Sequence, residues 1–453
     1  MSALTLSRIQ FAFTVGYHFI YVPISIGLVW MVVLAERRYH KSGIEADKAA
    51  ADFWIKLFTA TFAVGVATGI TMEFSFGTNW ANYSRFVGNI FGAPLAAEGI
   101  TAFFLESVFL GVLLFGRTRV SRRVYYTSAW LVLLGSHLSA LWILVANSWQ
   151  QTPRGFKVVG GKAVLTDFWA AVFNPSTAPR LVHTLAATWI CGSFIVAGIS
   201  AWYLLKRRHM HLARRWLSTA LTAGLIVSVA MPFLGHWHAV EVANQQPVKL
   251  AAFEGLYKTQ DHAPLSLLGW VDPKDQKTFG IKVPDGLSLL VGLSPNRVIH
   301  GLESVPASDR PPEQVVFQTY HLMVALGMFF AFIMLVAFVL LKMGELEKRR
   351  WFLWLLVCCV PLPFIAIDMG WAATEIGRQP WVVQGLLRTS DAVSPNVTVT
   401  DVVGSLTLLA LIYALLFVAW LRVVTGIIRK GPQGVADSLG GTDEVGPTPT
   451  ATV

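Results

Sequence analysis

The sequence has few charged residues and few cysteines. Asp, Glu, Lys and Arg make up only 14% of the 453 residues, whereas hydrophobic residues make up 54%. Soluble domains carry about 25% charged residues, so this composition excludes a typical soluble domain and indicates a membrane protein. The three cysteines, Cys191, Cys358 and Cys359, all lie inside apolar runs. They offer neither a disulfide framework nor a CxxC metal site.

Three other features are missing. The first apolar stretch, from about 9 to 35, is too long for a signal peptide and lacks a small-residue cleavage site, so it predicts a retained first span. No internal repeat is visible, which disfavours an inverted-repeat transporter. The net charge of +10 does not form a nucleic-acid patch, because the basic residues lie mostly in short loops between apolar segments.

The dominant positive feature is a series of long apolar runs. A helix needs roughly 20 apolar residues to cross the hydrocarbon core of a membrane. About nine runs qualify, near 9–35, 54–80, 94–116, 125–149, 181–205, 216–238, 315–341, 352–374 and 401–428. The sequence therefore predicts an all-α integral membrane protein with about nine transmembrane helices.

The basic residues predict the orientation of these helices. Lys and Arg are enriched in cytoplasmic loops. Every second connection is short and basic, and the segments 35–53, 117–124, 206–215, 342–350 and 422–430 hold 4, 4, 5, 4 and 3 such residues. We therefore expect the amino terminus outside and the carboxyl terminus in the cytoplasm.

Composition also divides the chain into four parts. Residues 1–238 are predicted to hold helices one to six, and 313–430 helices seven to nine. Between them, 239–312 form the longest connection, with mixed charge and several prolines, which predicts a loop domain on the outer face. The tail 431–453 is rich in Gly, Pro and Thr and is expected to be disordered on the cytoplasmic side.

With this topology, five unusual side chains fall in one layer of the outer half of the membrane. They are His18, Glu98, His183, Met323 and Glu375. Histidine, methionine and occasionally carboxylate are axial ligands of haem iron, so a membrane haem site fits the set. The simpler alternatives are hydrogen bonds between helices for a lone histidine and apolar packing for a lone methionine.

Glu98 and Glu106 stand eight residues apart. In a regular helix this spacing corresponds to about 12 Å along the axis and a rotation of roughly 80°. Buried carboxylates can take up and release protons, so the pair predicts a proton relay, to which Ser139 and Asn147 could add polar steps. The alternative is a pair of interhelical hydrogen bonds.

The chain resembles a known family, the larger haem-bearing subunit (subunit I) of cytochrome bd-type quinol oxidases. The resemblance covers nearly the whole chain. It rests on Ser7-Arg-Ile-Gln-Phe11, Tyr17-His18-Phe19, Gly65-Val-Ala-Thr-Gly-Ile-Thr-Met-Glu-Phe74, Phe76-Gly-Thr-Asn-Trp80, Phe91-Gly-Ala-Pro-Leu95, Ser139-Ala-Leu-Trp-Ile-Leu-Val-Ala-Asn147, Val182-His-Thr184 and Gly370-Trp-Ala-Ala-Thr-Glu-Ile-Gly-Arg-Gln-Pro-Trp381.

The resemblance implies a set of haem ligands. His183 and Met323 would hold a low-spin haem b that receives electrons from quinol. His18 and Glu375 would be axial ligands of two high-spin haems, one a haem b and the other a haem d or a further haem b. Which of the two residues serves which haem stays open. Trp371 would lie between haems.

The resemblance also implies further site residues. Arg378 would lie near a haem propionate or near the carboxylate of Glu375. The segment Lys249-Leu-Ala-Ala-Phe-Glu254 matches the part of the outer loop that contributes to the quinol site, so Lys249 and Glu254 would bind quinol. The alternative for these two residues is a solvated ion pair.

Two departures from the family pattern stand out. His321 occupies a position, two residues before Met323, where better-known members carry an arginine. The outer loop is short, which places the chain in the short-loop class of the family.

The predicted function is that of a terminal respiratory oxidase in the bacterial cytoplasmic membrane. Quinol would be oxidised at the outer face and dioxygen reduced to water, with protons taken from the cytoplasm, so that charge crosses the membrane without pumping. The implied partners are a second membrane subunit and a small single-helix subunit, with no nucleic acid. The alternative is a haem-free, proton-coupled transporter that uses Glu98, Glu106 and Glu375.

Overall fold

The computed structural model describes residues 1–433 and consists mainly of long helices. The helices are α1 (Ala3–Ser42), α2 (Glu45–Thr78), α3 (Ala81–Glu98), α4 (Phe104–Phe115), α5 (Arg122–Gln151), α6 (Phe168–Val172), α7 (Thr177–Lys206), α8 (Met210–Gln245), α9 (Pro247–Glu254), α10 (Gly286–Gly292), α11 (Glu313–Lys342), α12 (Arg350–Cys358), α13 (Leu362–Ile376), α14 (Thr389–Ala392) and α15 (Val399–Lys430). A π-helical turn, Gly99–Phe103, joins α3 to α4.

Six short strands form three antiparallel hairpins in the connections. They are β1 (Phe156–Val159) with β2 (Lys162–Leu165), β3 (Leu265–Asp272) with β4 (Lys277–Val283), and β5 (Trp381–Val383) with β6 (Leu387–Arg388). The β1–β2 hairpin turns at Gly160 and Gly161, both with positive φ. Two-residue hairpin loops favour this backbone conformation, and glycine adopts it without strain.

Nine helical segments of the described chain are long and apolar enough to cross a membrane. This finding confirms the predicted all-α membrane fold. The third segment combines α3 and α4, and the eighth combines α12 and α13. Several helices extend past the apolar runs that predicted them: α2 begins at Glu45 rather than near 54, and α8 ends at Gln245 rather than near 238. Helices continue beyond the part that hydropathy detects, because polar residues are tolerated once the chain leaves hydrocarbon.

The segment between α8 and α11 holds α9, the β3–β4 hairpin and α10. We call the end of the helix bundle that carries this segment the loop end. A separate hydrophobic cluster, which includes Leu250, Phe253, Val271 and Phe317, packs α9 and β3 against α11. The segment is therefore an ordered cap on the bundle. Of the predicted disordered tail, residues 434–453 lie outside the described part.

Glycines allow α1 and α7 to cross in direct backbone contact. A Cβ atom on Gly27 would overlap the carbonyl oxygen of Thr188, and one on Gly192 would overlap the backbone of Gly27. Small residues at such crossings let helices approach closely in membranes, where packing drives association. This contact sets the spacing between the helices that carry His18 and His183.

Candidate functional site

The carboxylate of Glu375 accepts three hydrogen bonds near the loop end. Asn147 Nδ2 donates to Glu375 Oε1 at 2.9 Å, and Gln151 Nε2 donates to the same oxygen at 3.2 Å. The guanidinium of Arg378, one helical turn further along, forms an ion pair with Oε2. The side chain of Glu375 is only 15% exposed. A buried carboxylate needs such partners, because an uncompensated charge in low dielectric is very costly.

Gln151 extends this network to α9. Its Oε1 accepts hydrogen bonds from Lys249 Nζ and from Gln246 Nε2, the latter at 3.1 Å. Lys249 also donates to Gln246 Oε1 at 2.9 Å, and its side chain is buried. Lys249 therefore points into the protein, two hydrogen bonds from Glu375, and not into solvent as a loop ion pair would.

Glu254 lies at the other end of α9 and contacts β3. Its Oε2 accepts a hydrogen bond from the backbone amide of Ser266 at 2.8 Å. The carbonyl oxygen of Ser266 is 2.9 Å from His321 Nε2, and His321 is buried in α11. A short chain of contacts therefore leads from Glu254 to the turn of α11 that carries Met323.

His18 has a geometry suited to a metal ligand. Its Nδ1 lies 2.8 Å from the hydroxyl of Thr68. That hydroxyl donates to the carbonyl oxygens of Val64 and Gly65, so it accepts from His18 and assigns the proton to Nδ1. Nε2 then carries the free lone pair, and a hydrogen bond on the opposite nitrogen is typical of metal-ligating histidines.

His183 and Met323 lie on α7 and α11 near the same end of the bundle. His183 Nδ1 is buried without a hydrogen-bond partner in the described part of the chain. The ring of His238 is 5.7 Å away, centroid to centroid. The sulfur of Met323 faces Gly370 on α13, where an added Cβ would be 2.6 Å from Sδ. Within residues 1–433, no side chain is hydrogen-bonded to His183 Nδ1 or to the Met323 sulfur, so both atoms could ligate a metal.

Trp371 lies on α13, and Arg378 lies in the turn that follows this helix. The Trp371 ring meets Phe19 at 5.7 Å and Phe11 at 6.3 Å, so it packs against α1 beside His18. Arg378 is buried, and besides Glu375 it donates to Gln150 Oε1 at 3.0 Å. Of the two positions implied for Arg378, the structure shows contact with the Glu375 carboxylate.

Glu98 and Glu106 both face α5. Glu98 Oε1 accepts from Ser139 at 2.7 Å, and Glu106, which is buried, accepts from Ser136. The π-helical turn between them changes their expected relation. Because such a turn adds about one residue to the helix, the eight-residue interval rotates like seven, which leaves the two carboxylates roughly 20° apart and not 80°.

The polar residues of α5 bring these groups together. Ser136, Ser139, Asn147 and Gln151 lie along one side of the helix, and they contact Glu106, Glu98 and Glu375. Eight residues, or about 12 Å, separate Ser139 from Asn147 along the helix. Glu98, which Ser139 contacts, and Glu375, which Asn147 contacts, are therefore not in direct contact with each other.

Several of these residues carry no signal in the sequence. Gln151, Gln246 and Thr68 belong to no recognisable ligand pattern, and their partners are distant in sequence. Arg180 had a usable signal, since a charged residue three positions before His183 lies on the same helical face. His137, a third histidine of the spans, is hydrogen-bonded on both nitrogens, to the carbonyl of Leu133 and to the indole of Trp189.

Comparisons with known proteins agree on one family. The family model for cytochrome bd terminal oxidase subunit I matches residues 6–432. Cytochrome bd ubiquinol oxidase subunit 1 of Bacillus subtilis (strain 168) is 38% identical, with 96% of this chain and 95% of that protein covered. Cytochrome bd-II ubiquinol oxidase subunit 1 of Escherichia coli (strain K12) is 35% identical, with 95% and 97% covered.

A solved structure has the same fold. The bd oxidase from Geobacillus thermodenitrificans superposes with a TM-score of 0.88 at 31% sequence identity, over 95% of this chain and 99% of that chain. These matches do not favour the haem-free transporter, and the family implies haem cofactors. The chain thus belongs to the cytochrome bd terminal oxidase subunit I family, and the enzyme is a quinol:oxygen oxidoreductase of the respiratory chain.

Proposed function

We propose that this chain carries the haems of a terminal oxidase that oxidises quinol at the loop end and reduces dioxygen to water. The observation that carries the proposal is the set of four ligand-type side chains near that end: His18, His183, Met323 and Glu375. They come from four helices, and the described residues contain no cluster of three His, Cys, Asp or Glu that could hold a bare metal ion. Single metal-ligating side chains on separate helices suit haem iron, because the porphyrin already supplies the other ligands of the iron.

The residues present fit haem. His18 keeps Nε2 free because Thr68 occupies Nδ1, and His183 keeps a buried nitrogen without a partner. The Met323 sulfur packs against Gly370, which has no Cβ to displace it. Glu375 accepts three hydrogen bonds and a carboxylate offers about four lone-pair sites, so one remains.

We assign His183 and Met323 to a low-spin haem b, and His18 and Glu375 to two high-spin haems, of which one is a haem b and the other a haem d or a further haem b. When bound, these haems supply electron transfer from quinol and the binding and reduction of dioxygen. The protein supplies orientation: Thr68 fixes the His18 ring, and Asn147, Gln151 and Arg378 fix the carboxylate of Glu375.

Lys249 and Glu254 are the proposed quinol residues. Burial, with the positive charges of Arg180 and Arg378, holds the pKa of the Lys249 ammonium well below its usual range. Burial also raises the pKa of Glu254 to about 8. A neutral amine can accept a proton from a quinol hydroxyl, and a carboxyl group with a pKa near 8 exchanges protons close to neutral pH.

Glu106 and Glu98 are the proposed proton path from the opposite end of the bundle. Ser136 and Ser139 hold the two carboxyl groups toward α5. Protons enter from the cytoplasm and those of quinol leave outside, so the reaction moves charge across the membrane without a pump. In the proposed topology, the amino terminus and the 239–312 loop therefore lie on the outer side of the membrane, where the protons of quinol are released.

We further propose that the chain works in a bacterial cytoplasmic membrane beside a second membrane subunit, with a small single-helix subunit as a further partner. The relatives are named as subunit 1 of bacterial oxidases. Helix α15 exposes Leu408, Leu411 and Leu415. These apolar side chains are suited to contact with lipid or with another subunit.

The direct test is to purify the oxidase and measure its haem and its activity. We expect a pyridine haemochrome spectrum that contains b-type haem, together with oxygen uptake driven by quinol. The same spectrum distinguishes haem d from a further haem b. A purified oxidase without haem absorbance would refute the proposal.

Gly370→Ala should perturb the low-spin haem selectively, because the new methyl group would displace the Met323 sulfur. We expect an altered low-spin absorbance band and largely unchanged high-spin bands in reduced-minus-oxidised spectra. The matched control is Gly327→Ala, which lies on α11 with Met323 but has nothing within 4 Å of the added Cβ. Loss of the high-spin bands in Gly370→Ala would contradict the assignment of Met323.

Glu106→Gln should slow oxygen uptake by roughly 10²-fold while the haem content stays unchanged, because an amide cannot carry the proton. Oxygen electrode measurements and haem spectra check both parts. Glu345→Gln is the control, since Glu345 pairs with Lys348 in an exposed cytoplasmic loop. Unchanged turnover in Glu106→Gln would instead favour a structural hydrogen bond to Ser136.

Glu254→Gln should remove a pH dependence of stability. An unfolded glutamate has a pKa of 4.5, and the folded value is about 8, so between these values the folded protein holds a proton that the unfolded chain has lost. The stabilisation is full below about pH 4.5 and is lost as the pH rises through 8. Relative to wild type, the variant should therefore gain apparent Tm as the pH rises from about 6 to about 9.

Thermal unfolding followed by tryptophan fluorescence measures this difference. Glu303→Gln, a change at an exposed carboxyl group of the same connecting segment, serves as the control. A Tm difference between Glu254→Gln and wild type that does not vary with pH would contradict the raised pKa.

A further inference from the structure

Arg180 is a buried arginine that lacks an ion-pair partner in the described part of the chain. It lies in the first turn of α7 and is 5% exposed. Its Nε atom is buried without a hydrogen-bond partner, and its guanidinium forms no ion pair among residues 1–433. Arginine remains charged in proteins, so it cannot relieve this burial by losing its proton.

The surroundings of Arg180 are rich in basic side chains. Lys249 and Arg378, which are 3% and 4% exposed, both belong to the same electrostatic cluster. Glu375 is the carboxylate that acts on Arg180, but its hydrogen bonds come from Asn147, Gln151 and Arg378. One carboxylate therefore faces three basic side chains. It forms an ion pair with Arg378, and Lys249 is hydrogen-bonded to Gln151 and Gln246, whereas Arg180 has no such side-chain partner among residues 1–433.

This arrangement requires an anion from outside the chain. A buried charge left without a partner costs several kcal/mol. A guanidinium matches a carboxylate or phosphate with two parallel hydrogen bonds, which makes arginine the preferred partner for such groups in dry surroundings. The site is therefore built to receive a carboxylate or phosphate beside Arg180.

The position of Arg180 indicates which anion it binds. His183 lies three residues further along α7, on the same face, and also has a buried nitrogen without a partner. The charge of Arg180 acts on the His183 imidazole, and each of the two side chains has a buried nitrogen without a hydrogen-bond partner among residues 1–433. Haem combines an iron atom for the imidazole with propionate carboxylates for the guanidinium.

We propose that Arg180 binds a propionate carboxylate of the haem that His183 ligates, and so positions that haem and raises its midpoint potential. The inference rests on the proposed function, since it needs His183 to be a haem ligand. The effect on potential follows from charge: a nearby cation offsets the propionate and favours the reduced, less positive iron.

The experiment compares Arg180→Gln and Arg180→Lys in the purified, haem-loaded oxidase. Haem labelled with ¹³C at the propionate carboxylates identifies their bands in redox-difference infrared spectra. We expect these bands to shift in Arg180→Gln and the midpoint potential of the low-spin haem to fall, with a smaller change of both in Arg180→Lys. Arg154→Gln is the matched control, since Arg154 is an exposed arginine bonded to Gln245.

Propionate bands and a midpoint potential that stay at wild-type values in Arg180→Gln overturn the proposal. If Arg180→Gln does not assemble, unchanged propionate bands in Arg180→Lys overturn it, because an ammonium cannot reproduce the two parallel hydrogen bonds of a guanidinium. A phosphate or phospholipid that copurifies with wild type and is lost from Arg180→Lys, with unchanged propionate bands, also overturns it in favour of another anion. Failure of the proposed function looks different: His183→Ala would then retain the low-spin haem spectrum.

Discussion

The hydrogen bonds to the carboxylate of Glu375 are the interaction on which the rest of the site depends. A charge at this depth persists only when partners compensate it, and here Asn147 and Gln151 of α5 and Arg378 after α13 do so. These contacts fix α13 against α5. Because Gln151 also accepts from Lys249, they fix the segment proposed to bind quinol as well. One buried carboxylate thus connects the proposed oxygen-reducing and quinol-oxidising parts of the protein.

Helix α5 is the common scaffold of the proton and electron parts. Its polar side chains face Glu106 and Glu98 in its middle and Glu375 near its end. The π-helical turn at Gly99–Phe103 serves the same arrangement, since it turns both carboxylates of the neighbouring span toward α5. The close contact of Gly135 with the Glu106 backbone, where an added Cβ would be 3.2 Å from the amide nitrogen, holds the two helices together.

Much of the fold was predictable, because each membrane span is a continuous run of apolar residues that the local sequence shows directly. Nine apolar runs became nine helical segments, and the long polar connection became the ordered cap around α9. The rotation between Glu98 and Glu106 was not predictable, because a π-helical turn depends on packing against α5 rather than on the residues inside it. The inward direction of Lys249 was equally hidden, since its acceptor Gln151 lies 98 residues away in the sequence.

The sequence by itself determined the class of the protein and most candidate ligands. Hydrocarbon tolerates only helices of a certain length and few polar side chains, so both leave a local signal. Only the tertiary structure decided which partners those side chains have: that Thr68 orients His18, that Gln151 joins Glu375 to Lys249, and that Arg180 has no ion-pair partner among residues 1–433. The physical reason is that hydrogen bonds and ion pairs form between helices distant in sequence, and no local pattern encodes which donor meets which acceptor.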